Sequence, residues 1–126
     1  MKDILKINTT ALAFMGDAAY ETVIRKHLLE KGSERADALH KAAVKYVCAG
    51  AQAEVIKAIF DELTEEEQAL VKRARNRKSA TKPKNADPVD YKWATAFECL
   101  AGYLWLSEDR ERFDWLCERA IGIVEG

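Results

Sequence analysis

The stretch that most restricts the fold is Thr9 to Tyr20, TTALAFMGDAAY, which carries one charge, Asp17. At 100° per residue, Leu12, Met15, Gly16, Ala19 and Val23 fall on one side of a helix, with Ala13, Tyr20 and Ile24 beside them and Phe14 nearly opposite. A helix that is apolar nearly all round is expected to be covered on every side. Asp17 is therefore expected in low-dielectric surroundings, where an unpaired carboxylate is costly.

Trp93 to Ser107, WATAFECLAGYLWLS, is built the same way around a single charge, Glu98. Its stripe through Tyr91, Ala94, Thr95, Glu98, Ala101, Gly102 and Trp105 opposes Trp93, Phe97, Leu100 and Leu104, so both faces need cover. Each acid has a glycine near its own face, Gly16 and Gly102. Glycine inside a helix costs about 1 kcal/mol relative to alanine, so two at matched places predict close approach of the two backbones. Helices crossing there bring the carboxylates together, and like charges at short range do not both stay ionised without a cation. The ion suited to two carboxylates and water is Mg²⁺, with Mn²⁺ as a substitute. The residues alone leave a second reading open, in which each acid meets an arginine, lysine or hydroxyl and is purely structural.

A chain of 126 residues is expected to form one domain, residues 1–126, with a real core. No run reaches the roughly 18 apolar residues of a membrane span, and MKDILKINTT lacks the apolar core of a signal peptide. Cys48, Cys99 and Cys117 show no C-x-x-C spacing and read as reduced thiols, which points to the cytoplasm. Two histidines, His27 and His40, are too few for a histidine metal site, and His40 reads as an ordinary partly buried side chain.

Strand-like alternation is absent, and the expectation is an all-α bundle. The first helix should start near Asn8 or Thr9 and stop at Gly32. Glu21, one turn beyond Asp17, is either an additional or supporting acid or a solvated surface residue. Ser33 should cap a helix with Leu39, Ala42, Ala43, Tyr46 and Val47 inward, broken at Gly50 before an apolar set from Gln52 to Leu63. Thr64-Glu65-Glu66-Glu67 is a capping box. Asn76 to Asp90, with Pro83 and Pro88, should be loop, with Asp87 or Asp90 starting the Glu98 helix. A closing helix spans Glu108 to Val124, with Phe113, Leu116, Cys117, Ala120 and Val124 inward.

Net charge is −1, but Lys72 to Lys84 holds seven basic residues and no acid, so the remainder carries −8. A basic loop (about 72–90) beside buried acids suits a polyanion held for metal-assisted chemistry, with Asn76 and Asn85 adding hydrogen bonds.

ALAFMGDAAYE (Ala11 to Glu21) resembles the ribonuclease III signature segment, and TAFECLAGYLWL (Thr95 to Leu106) resembles that family's second acidic motif. ARNRKS (Ala74 to Ser79) and PKN (Pro83 to Asn85) are similar to the Mini-ribonuclease III branch, a catalytic domain without the double-stranded-RNA-binding domain. The resemblance covers about Asn8 to Val124. It implies a ribonuclease III endonuclease-domain helical bundle and a homodimeric, Mg²⁺-dependent endonuclease. Such an enzyme cuts double-stranded RNA, leaves 5′-phosphate ends, and matures the large-subunit (23S) ribosomal RNA precursor. By position, Asp17 and Glu98 are the implied catalytic and metal-binding acids. Larger relatives carry further acids where this chain has Thr10, Ala13 and Thr95, so its metal site is acid-poor and Thr95 is at most a supporting residue. Arg75, Arg77, Lys78, Lys82 and Lys84 are then expected to grip backbone phosphates. A non-catalytic RNA-binding helical module in ribosome assembly is the alternative, and a helical-bundle interaction domain whose basic loop meets an acidic protein is a third.

Overall fold

The computed structural model describes residues 3–32, 34–78 and 87–126. Among these there are six α-helices and no strand: α1 (Thr9–Glu30), α2 (Ala36–Val47), α3 (Ala49–Ile59), α4 (Glu65–Asn76), α5 (Pro88–Leu106) and α6 (Arg110–Glu125). Short 3₁₀ turns occupy Ile4–Lys6 and Phe60–Glu62. The all-α expectation holds.

The helix ends follow from local chemistry. Asn8 Oδ1 accepts from the Thr10 N–H at 2.9 Å and starts α1, and Gly32, with φ +101°, follows its end. Thr64 and Glu67 form the reciprocal capping box of α4. Asp87 caps α5 by accepting from the Val89 and Asp90 N–H groups.

Four expected boundaries move. Ser33 lies outside the described residues, and Arg35 occupies the cap position of α2 with no side-chain cap bond. The break between α2 and α3 falls at Cys48, whose ψ of 154° ends the hydrogen-bond ladder, while Gly50 sits inside the first turn of α3. The expected loop is shorter at both ends. Asn76 closes α4, and Pro88 opens α5 at a position where a missing N–H costs nothing. α6 begins after its Asp109 cap, two residues later than expected.

Helix α5 is central, packed by α1, α3, α4 and α6. Its Ala96, Phe97, Cys99, Leu100 and Ala101 are fully buried. Tyr20 of α1 meets Phe97 edge-on at 4.8 Å between ring centres, and both rings are enclosed. The closest contact is between backbones. A methyl group built on Gly16 would stand 1.7 Å from the Glu98 carbonyl oxygen, and one on Gly102 would stand 1.9 Å from that of Leu12. Only glycine at both places lets α1 and α5 cross this closely.

Two ion pairs tie the periphery to this centre. Buried Glu67 receives Arg112 of α6 at 2.8 and 3.0 Å, which anchors the start of α4. Glu125 at the end of α6 meets His27, Tyr46 and Lys31 at 2.6, 2.7 and 2.8 Å. Bonds from Lys31, then Tyr46 and His27, pull the Glu125 carboxyl down to about 2. No helix among the described residues is long and apolar enough to cross a membrane.

Gly16→Ala or Gly102→Ala forces the helices apart, and overpacking of this kind costs about 1–3 kcal/mol or more. Urea denaturation should show each variant destabilised by at least that much, whereas Gly122→Ala, where an added methyl meets nothing within 4 Å, should be neutral or stabilising.

Candidate active site

The α1–α5 crossing sets the site. Asp17 follows the contact residue Gly16, and the carbonyl that Gly16 touches belongs to Glu98. The carboxyl groups meet beside this crossing, close enough for a proton on Glu98 to be shared with Asp17. Burial first, then the Asp17 charge, pushes the Glu98 carboxyl up from 4.5 to about 8, with Glu21 adding repulsion. Asp17 and Glu21, which act on Glu98, are both acids, and among the described residues no ion pair involves Asp17 or Glu98.

The expectation of low-dielectric surroundings for Asp17 is corrected. Glu98 is half-buried, but Asp17 is exposed, and so are Ala11, Phe14 and Ala18 around it. Phe14 is 80% exposed. The reason is geometric: α5 covers the Leu12–Gly16–Ala19 side of α1, and among the described residues no other element covers the opposite side.

Glu21 is half-buried and accepts from Arg25 at 3.3 Å. It rims an apolar cavity of about 250 Å³ between α1 and α2, lined further by Leu28, Leu39 and His40. His40 itself is exposed, not partly buried as expected. Thr95 lies one turn before Glu98, but its hydroxyl is turned back to the Tyr91 carbonyl at 2.9 Å. Among the described residues, no three histidine, cysteine, aspartate or glutamate side chains converge on a metal position. The donor set is the carboxylate pair, whose unrelieved repulsion suits a hard divalent ion that completes its shell with water or phosphate oxygens.

Periodicity and charge did not single out Gln52. It is 2% exposed, on the face of α3 that packs against α5, and its amide is turned toward Glu98 on the side that favours the ionised carboxylate. Yet among the described residues its Nε2 makes no hydrogen bond of full geometry. The one available signal was a long polar side chain among the alanines of AGAQA.

The basic residues are held in different ways. The Arg75 guanidinium lies over the Trp93 ring at 4.9 Å and donates to Asn76 Oδ1 at 3.0 Å. Arg77 donates to Asn8 Oδ1 and lies 3.5 Å from the Thr9 and Thr10 hydroxyls, docking the end of α4 on the start of α1. Lys78 is exposed. Lys82, Lys84 and Asn85 lie outside the described residues.

Residues 10–109 match the family model of the ribonuclease III domain. The chain is 50% identical to a Mini-ribonuclease 3 of Brevibacillus brevis over 94% of this chain and 89% of that protein. It is 48% identical to a Mini-ribonuclease 3 of Streptococcus pneumoniae over the whole of both chains. A crystal structure of a Fusobacterium nucleatum protein superposes with a TM-score of 0.86 at 34% identity, covering 97% of this chain and 98% of that one.

The raised Glu98 carboxyl has a consequence for the metal-free protein. Between pH 4.5 and about 8 the folded chain keeps a proton on Glu98 that the unfolded chain releases. Folding stability in EDTA should therefore fall as pH rises through that window. Glu98→Gln should flatten the slope and be the more stable protein at pH 8, read from urea midpoints against pH.

Proposed function

This chain belongs to the ribonuclease III family and is an endoribonuclease, and from that premise we propose that it cuts double-stranded RNA with Mg²⁺ at the Asp17–Glu98 pair. The biological substrate in this reading is the large-subunit (23S) ribosomal RNA precursor. The observation that carries it is a pair of neighbouring carboxyls that, among the described residues, forms no ion pair with a cation of the protein. Such a pair is a liability to a purely structural protein and a ready seat for a divalent ion.

A bound Mg²⁺, or Mn²⁺ in its place, supplies Lewis-acid activation of water and neutralises charge developing on the phosphate. The chain's own residues prepare for it. Asp17 presents its carboxylate at the surface, where a phosphodiester can approach. Glu98 sits deeper and holds its proton while the site is metal-free, and with Asp17 it would hold the ion once ionised. The Gly16 and Gly102 contacts keep the two acids in register. Neither carboxylate acts as the nucleophile, and the products carry 5′-phosphates.

Duplex RNA is read through minor-groove shape, 2′-hydroxyls and phosphates. Lys78 offers an exposed ammonium, and Arg75 and Arg77 retain donors beyond those used inside the fold. Lys82, Lys84, Asn76 and Asn85 complete the proposed RNA contacts, with Glu21 and Thr95 supporting the acids. A homodimer belongs to the same reading. Ala11, Phe14 and Ala18 form an uncovered apolar strip on a helix whose composition calls for cover, and a second copy seated there would also shelter the Asp17 side. Three free thiols agree with a cytoplasmic location.

Asp17→Asn and Glu98→Gln should each lower cleavage of duplex RNA in Mg²⁺ by at least about a hundredfold, with RNA binding and the circular-dichroism spectrum unchanged. Full cleavage by either variant would remove that acid from the chemistry, and RNA binding without any cleavage by the native chain would favour the non-catalytic RNA-binding module. Affinity for generic duplexes should fall steeply with salt, roughly as the number of phosphates contacted, and a flat dependence would rule out the phosphate-gripping loop. Phe14→Glu should sediment as a monomer where the native chain sediments as a dimer.

A further inference from the structure

Gln52 stands out because a buried amide donor without an acceptor is uncommon and costly in a well-packed interior. Among the described residues its Nε2 is the one buried side-chain polar atom without a hydrogen bond. The side chain is not adrift. Its backbone N–H is bonded to the Cys48 carbonyl at 3.1 Å, and Ala53, Val55 and Ile56 beside it are buried, so α3 holds it firmly against the core. The group it faces is Glu98, whose own partner is Asp17.

The chemistry of the residue is selective. Lysine or arginine at this position would neutralise the carboxylate pair and compete with any divalent ion. Leucine would leave a carboxylate oxygen facing hydrocarbon. An amide donates a hydrogen bond and adds no charge, so it supports an ionised carboxylate while leaving the pair's full negative charge for a cation.

Resting on the metal-dependent reading above, we propose that Gln52 is a positioning residue for Glu98: its amide donates to the ionised Glu98 carboxylate and fixes the orientation in which that carboxylate meets a divalent ion shared with Asp17. Groups that hold a ligand's far side in this way commonly change metal affinity by about 10–100-fold when removed. The orphaned donor is thus a bond prepared for the metal-loaded site.

The test uses Gln52→Met, which keeps the length of the side chain, and Gln52→Leu, each compared with the native chain and with Asp17→Asn. Mn²⁺ binding without RNA is followed by electron paramagnetic resonance, thermal unfolding is followed in EDTA, and kcat and KM are measured on duplex RNA. Both variants should melt at or above the native temperature in EDTA, bind Mn²⁺ at least about tenfold more weakly, and lose kcat with KM little changed. Mn²⁺ affinity within about twofold of native in both variants, with Asp17→Asn impaired, would overturn the role of Gln52 and leave the metal reading standing. Collapse of the fold in both variants would also overturn it, because Gln52 would then be a structural residue of the core. A native chain that binds no Mn²⁺ would remove the metal reading, and this proposal with it.

Discussion

Everything at the centre of this molecule depends on two helix backbones touching. Gly16 lies against the Glu98 carbonyl and Gly102 against that of Leu12, at distances that no side chain tolerates. At this point backbone lies against backbone, where helix pairs ordinarily interleave side chains. The same contact dictates where the acids go. Asp17 is one residue past the point of closest approach, and Glu98 supplies the carbonyl at that point. Their proximity is a by-product of the crossing, fixed by elements whose own cores are rigid.

The crossing also explains why the two acids are unlike. Glu98 emerges on the face of α5 that α1 and α3 enclose, and burial raises its hold on a proton. Asp17 points to the side of α1 that the other described residues leave open. One acid is thus enclosed by its surroundings and the other stays accessible. The uncovered Phe14 strip runs along that same open side.

Charge in this chain is distributed by task. The arginines that stabilise the fold are paired: Arg112 with Glu67, and Arg119 with Glu62. Arg77 serves the fold as well, by bonding to the N-terminus of α1. Among the described residues the acids at the site have no such partner, and Gln52, which also acts on Glu98, is neutral.

Much of this was legible in the one-dimensional pattern. The solitary charges in two apolar helices, the matched glycines, the Asn8, Thr64 and Asp87 caps and the basic stretch after α4 each follow from local rules of periodicity, capping and electrostatics. The residues alone left open whether the acids were structural, and tertiary placement without a cation favours the metal-holding reading. What local rules could not supply was direction in space. Composition around Asp17 suggested a buried acid, but burial depends on which neighbours arrive, and among the described residues none arrives on the Phe14 side. The helix break at Cys48 and the inward turn of Gln52 likewise depend on how α3 is laid across α5. Sequence determined which helices form and which residues they carry; only packing decided which of those residues face one another, because that choice is made by contacts between segments distant along the chain.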